Sequence, residues 1–215
     1  FIPTFFGQTG YMDLRYTGQG SGLTISNDSF TLTCWVKPTG NPAACFSMAY
    51  NGTDDLCGWE LISKQDIINP SPQTLEYRLI LNSGYIHSAW FGGFKEQGTQ
   101  QMAKVIVSGV TALTADNFSF LAMRYDKPLQ ILSLYHGINN QLIRLSTNTT
   151  GAFESNLTQD SQFRIGGDIL GPTNSIIDEV GFWRKSLSHN EIVTLYNKGS
   201  GLQYPFDARN LAPPL

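Results

Sequence analysis

The chain has 215 residues, 41% of them hydrophobic and 12% aromatic, which is enough to bury one sizeable core in a single domain. Only 14% are charged and the formal net charge is -3, so the basic stripe that a phosphate backbone requires is missing and nucleic acid is not an expected partner. No apolar run approaches the roughly 18 residues that span a bilayer, so no membrane insertion is expected, and a chain opening at Phe1 reads as a processed fragment.

Taken in order, the predicted elements are strands almost throughout. "FIPTFF" (1–6), "YMDLRY" (11–16) and "LTIS" (23–26) are short runs interrupted by the Gly-rich "TGQGSG". In "FTLTCWVKP" (30–38) Phe30, Leu32, Cys34 and Val36 share one face, and Thr31, Thr33, Trp35 and Lys37 the other, so one face is expected in the core. Residues 38–58 form a long loop rich in Gly, Pro, Asn and Asp, of the kind that carries function on a rigid scaffold. "WELISK" and "LEYRLILNSGYIHSAWFGG" follow, the second with a turn at Asn82-Ser83-Gly84. "KVIVSGV", "FSFLAMRYD", "LQILSLYHG" and "QLIRLS" then come in the rhythm of an all-β sandwich, with His136-Gly137 read as a turn.

The end of the chain changes period. From Ser175 to Trp183 it alternates by twos, with Val180 and Phe182 on one side and Glu179 and Trp183 on the other. Ser188 and Glu191 then have the spacing of a capping box. Ile192, Leu195 and Tyr196 give the helix that follows an apolar stripe, and Lys198-Gly199 reads as its cationic last turn and left-handed stop. The tail "LQYPFDARNLAPPL" has no periodicity and is expected to be extended or a linker.

At this point the sequence resembles a known family. "IIDEVGFWRKSLSHNEIVTLYNKGSG" is similar to the closing signature of laminin-G-like, concanavalin A-like jelly-roll domains. There, a strand reading I-D-E-V runs into a short helix. "YMDL", "FTLTCWVKPT", "ELISK" and "FRIGG" occur in the order that family uses, so the resemblance covers residues 5–202 or so. It implies an all-β, two-sheet antiparallel jelly-roll sandwich with one short C-terminal helix, a domain over 1–203 and a tail over 204–215. The fold by itself does not choose among lectins, adhesins, hydrolases and spacers.

Catalysis finds little support in the residues. The E-x-D-x-x-E strand motif of jelly-roll glucanases is absent, Asp178 and Glu179 are adjacent and so point to opposite faces, and Asp54-Asp55 sit in a loop. There is no Gly-x-Ser-x-Gly elbow, and His87, His136 and His189 fall in three different elements. Sugar recognition needs flat rings and hydroxyl partners, and two clusters supply them. One is Trp59 with Tyr50, Asn51, Asp54 and Asp55 at the loop rim; the other is Tyr85, His87, Phe91 and Phe94 with Asn82. Trp35, Trp90 and Trp183 read as core.

Cys34 reads as a buried lone thiol, whereas Cys45 and Cys57 flank a polar loop that a disulfide would stabilise by roughly 2 to 3 kcal/mol. Asn27, Asn51, Asn117, Asn148 and Asn156 each begin an N-x-S/T triplet. Both features suit an extracellular, secreted, cell-surface or virion-surface setting. The resemblance further implies one structural calcium ion near Asp178, with carbonyls of the "FFGQTG" turn completing the oxygens; an aspartate that caps a turn is the other reading of the same residue. The functional expectation is a non-catalytic recognition module for a glycan or glycosylated surface. A structural or protein-binding laminin-G-like module is the alternative, and a glycoside hydrolase comes third.

Overall fold

The computed structural model describes residues 12–14, 23, 28–40, 58–66, 75–82, 87–91, 94–96, 103–106, 113, 117–138, 140–149, 153–155, 161–168 and 171–201. Along the chain these form β1 (Met12–Leu14), β2 (Phe30–Pro38), β3 (Gly58–Asp66), β4 (Leu75–Asn82), β5 (His87–Phe91), β6 (Phe94–Glu96), β7 (Ala103–Ile106) and β8 (Ser119–Asp126). Then come β9 (Ile131–Ile138), β10 (Gln141–Thr149), β11 (Phe153–Ser155), β12 (Ser161–Ile165), β13 (Gly167–Asp168), β14 (Gly171–Pro172), β15 (Ser175–Trp183) and α1 (His189–Tyr196). Strands β1-β12-β3-β4-β5-β7 make one antiparallel sheet and β10-β9-β8-β2-β15 a second, with β6 and β11, and β13 and β14, pairing as small ribbons. Early and late strands are neighbours in both sheets, β1 with β12 and β2 with β15, as a jelly roll requires.

Alternation in β2 sets the core. Phe30, Leu32, Cys34 and Val36 meet Leu61 and Ile62 of β3, Tyr77, Leu79 and Leu81 of β4, and Phe163 and Ile165 of β12, so one apolar layer joins the two sheets. Burial pushes the Cys34 thiol up to about 12, which leaves it a small hydrophobe without thiolate chemistry.

The other face of β2 is buried as well, as expected for Trp35 and contrary to expectation for Thr31 and Thr33. Trp35 packs with Phe120, Ala122, Tyr135, Leu187, Ile192, Leu195 and Tyr196 in a second cluster beneath α1. Its ring lies 5.4 Å from Phe120, edge-on, and 5.7 Å from Tyr196, stacked. Thr31 ties down the connection into the helix: its hydroxyl donates to the Lys185 carbonyl and accepts the Leu187 amide, both at 2.9 Å.

The capping box forms as its spacing predicts. The Glu191 amide donates to the Ser188 hydroxyl, and the Ser188 amide donates to the Glu191 carboxylate at 2.7 Å. The hydrogen bonds from the Lys185 ammonium and the Ser188 amide hold the Glu191 carboxyl below its ordinary range. The helix stops earlier than Lys198-Gly199, because Asn197 already takes the left-handed conformation (φ 45°) and α1 has no basic residue in its last turn. In β15, Val180 and Phe182 pack on the inter-sheet core and Trp183 on the helical cluster. A bulge between Asp178 and Gly181, with Glu179 at φ 48°, resets the alternation there.

His136 and Gly137 belong to β9 rather than to a turn, which instead contains Asn140 at φ 61°. His136 stands opposite the core residue Leu121 and is fully buried, and desolvation pushes its imidazole down to about 4.

Candidate functional site

Because Tyr77, Leu79 and Leu81 of β4 enter the core, Arg78 and Ile80 occupy the opposite, outer face of the six-stranded sheet. On β12, Phe163 and Ile165 enter the core and Gln162 and Arg164 face outward. A bulge between Glu60 and Ile62 of β3 lets Leu61 and Ile62 both reach the core, so that Glu60 and Ser63 share the outer face. The pairing then aligns Arg164, Ser63 and Arg78 directly across β12, β3 and β4. With strands about 4.8 Å apart, the two arginine backbones lie about 10 Å from each other on either side of the serine. In backbone register the same row continues to Asp13 of β1, Trp90 of β5 and Lys104 of β7.

These polar side chains are buried, with exposures of 2% for Glu60, 1% for Ser63, 8% for Arg78, 9% for Gln162 and 7% for Arg164. Glu60 gives one oxygen to the Arg78 guanidinium at 2.5 Å and the other to the Ser63 hydroxyl at 2.7 Å. Arg164 donates to the Gln162 amide oxygen at 3.1 Å. Withdrawing charged groups from water costs several kcal/mol per ion, and an apolar row would avoid that cost, so their presence marks this face as a candidate site. The row thus sets two planar guanidinium forks on rigid strands, with the Ser63 hydroxyl and the Glu60 carboxylate bonded to each other between them. Among its described side chains Glu60 is the one carboxylate, whereas glycoside hydrolysis draws on two.

Of the residues expected from the sequence, three are placed by backbone register. Trp59 and His87 both stand opposite Leu81, and Phe91 opposite Tyr77, which are core positions of β4. Trp90, expected in the core, stands opposite Arg78 in backbone register. Tyr50, Asn51, Asp54, Asp55 and Tyr85, as well as Cys45 and Cys57, lie outside the described residues, and so does the "FFGQTG" turn. The Asp178 carboxylate accepts the Glu179 amide at 2.7 Å, a cap on the bulge. Among the described residues no three His, Cys, Asp or Glu side chains gather closely enough to hold a metal ion.

Arg78, Arg164, Glu60 and Ser63 do not stand out in the sequence. The available signal is an arginine at the outward position of two strands, "YRLIL" and "FRI", whose neighbours are all apolar.

A two-sheet sandwich with this order of strands defines a class, and the sequence agrees. The profile described as the concanavalin A-like lectin/glucanases superfamily, of laminin G type, matches residues 6–193, and the chain belongs to that superfamily. Among solved structures it is similar to the CBM40 of the Ruminococcus gnavus IT-sialidase bound to alpha2,3 sialyllactose, at 16% identity and a TM-score of 0.62, over 89% of this chain and 94% of that one. It is also similar to a Trypanosoma rangeli sialidase, at 16% identity and a TM-score of 0.57, over 90% of this chain but 26% of that one. A heptameric SAP-like pentraxin from Limulus polyphemus follows, at 8% identity and a TM-score of 0.51, over 89% of this chain and 79% of that one. No curated protein matches the chain.

Proposed function

We propose that this protein is a non-catalytic carbohydrate-binding module that takes its glycan on the outer face of the six-stranded sheet, at the row formed by Arg164, Ser63 and Arg78. The observation that carries this reading is the burial of that polar row on the strands opposite the hydrophobic core. The fold likeness to a module bound to sialyllactose, which spans nearly the whole of both chains, supports it. So does the chemistry, since sugar hydroxyls are bound by fixed, convergent polar side chains in a preformed site. Display outside the cell is part of the reading, supported by the five N-x-S/T triplets, of which Asn117 is exposed in a bend before β8.

A glycan-array assay on the folded protein tests the reading, with Arg78→Ala and Arg164→Ala as controls. Binding to a subset of glycans that either variant weakens at least tenfold supports the site. An array without binders removes the function.

A further inference from the structure

Resting on the display part of that reading and not on the binding row, we infer that Asn117 carries an N-linked oligosaccharide and that Ser119 serves its attachment rather than the fold. β8 sends Leu121, Met123 and Tyr125 into the inter-sheet core, and Ser119 takes the first position of the same alternation, opposite Val36. Ser119 is 1% exposed, and its hydroxyl has no hydrogen-bond partner among the described residues. Burying an unpaired hydroxyl costs stability, and an alanine there would avoid that cost while continuing the apolar stripe. No contact of the described fold accounts for the serine.

A step before folding does account for it. Asn117-Phe118-Ser119 is an acceptor triplet, whose third residue must bear a hydroxyl for the asparagine to be modified. The Asn117 side-chain nitrogen attacks C1 of the first N-acetylhexosamine of a polyprenyl-diphosphate-linked oligosaccharide. The C1–N bond forms as the C1–O bond to the diphosphate breaks; the amide gives up one proton and the lipid diphosphate leaves. Folding then buries Ser119 while the glycan stays outside, because Asn117 is exposed in the bend before β8. Phe118 beside it is 41% exposed, an apolar ring that the C–H face of a sugar suits as a cover. Of the other triplets, Asn148 stands in register opposite the core residue Leu132, and Asn27, Asn51 and Asn156 lie outside the described residues.

The test makes the full chain in two hosts: behind a secretion signal in eukaryotic cells, and in the periplasm of a bacterium that lacks N-glycosylation. Peptide mass mapping of the secreted protein, after enzymatic deglycosylation in heavy-oxygen water, is expected to find position 117 released as labelled aspartate in most molecules. Asn117→Gln and Ser119→Ala are each expected to lose that glycan, and Ser119→Thr to keep it. Bacterial Ser119→Ala is expected to melt at or above the temperature of the bacterial wild type, which a serine serving the fold would not allow. An Asn117 that stays unmodified in secreted, folded protein overturns the inference, and so does a bacterial Ser119→Ala protein that melts several degrees lower. Neither result touches the glycan-binding reading, which the array decides on the bacterial protein.

Discussion

Gly137 carries the packing of α1 on the sandwich. A Cβ built at this position falls 2.6 Å from Cδ2 and 3.0 Å from Cζ of Tyr196, so the phenol ring lies flat on bare backbone of β9. The same ring stacks on Trp35 at 5.7 Å and tilts against Phe120 at 5.7 Å, and these neighbours leave it no sideways escape. Gly137→Ala must therefore push Tyr196 off the sheet or strain the backbone, an overpacking cost of about 1 to 3 kcal/mol. For a chain of this length that corresponds to a fall in melting temperature of about 2 to 12 °C. Thermal and urea denaturation measure it, and a cycle with Tyr196→Leu isolates the clash: Gly137→Ala should cost much less once the ring is gone. If Gly137→Ala is neutral, or costs the same in both backgrounds, Tyr196 does not lean on β9 as described.

Three other expectations follow from the same structure. His136 titrates near 4 when folded and near 6.5 when unfolded. The unfolded chain then binds the extra proton between those values, so stability is lost as pH falls through that window, by up to about 3 kcal/mol; the pH 7 to pH 4 loss in urea midpoint should shrink in His136→Leu, and an identical loss would refute it. Cys45 and Cys57 are expected to be joined, so that non-reducing peptide mapping recovers them as one linked pair while Cys34 reacts with alkylating reagent only after denaturation; free alkylation of the first two in the native protein contradicts the pairing. If Asp178 helps to hold calcium as well as capping its bulge, EDTA lowers the melting temperature of the wild type and not of Asp178→Asn; equal curves leave Asp178 as a cap alone.

Much of the fold was legible because local signals agree with tertiary packing. The Ser188–Glu191 spacing, the apolar stripe Ile192, Leu195 and Tyr196, and the alternation of Phe30, Leu32, Cys34 and Val36 each describe a contact the structure makes. The second burial of β2 was legible only at Trp35, since Thr31 looks like an outer-face residue until the connection into α1 folds over it. The candidate site was hidden for a different reason. Plain alternation in "ELISK" puts Glu60 with Ile62 and Leu61 with Ser63, and only the bulge, which the sequence does not announce, brings Glu60 and Ser63 to one side. Arg78 and Arg164 are 86 positions apart, and only the β12-β3-β4 order aligns them. Aromatic rings such as Trp59 and Phe91 are visible in a sequence because stacking on sugars is recognisable from residue type, whereas cross-strand register is not.

The central claim is that the outer face of the six-stranded sheet is the binding face, and amide hydrogen exchange with and without a glycan identified by the array tests it most directly. The account predicts slowed exchange confined to β3, β4 and β12 around Ser63, Arg78 and Arg164. Protection at residues 41–57, with those three strands unchanged, would contradict it and move recognition to the rim around Trp59.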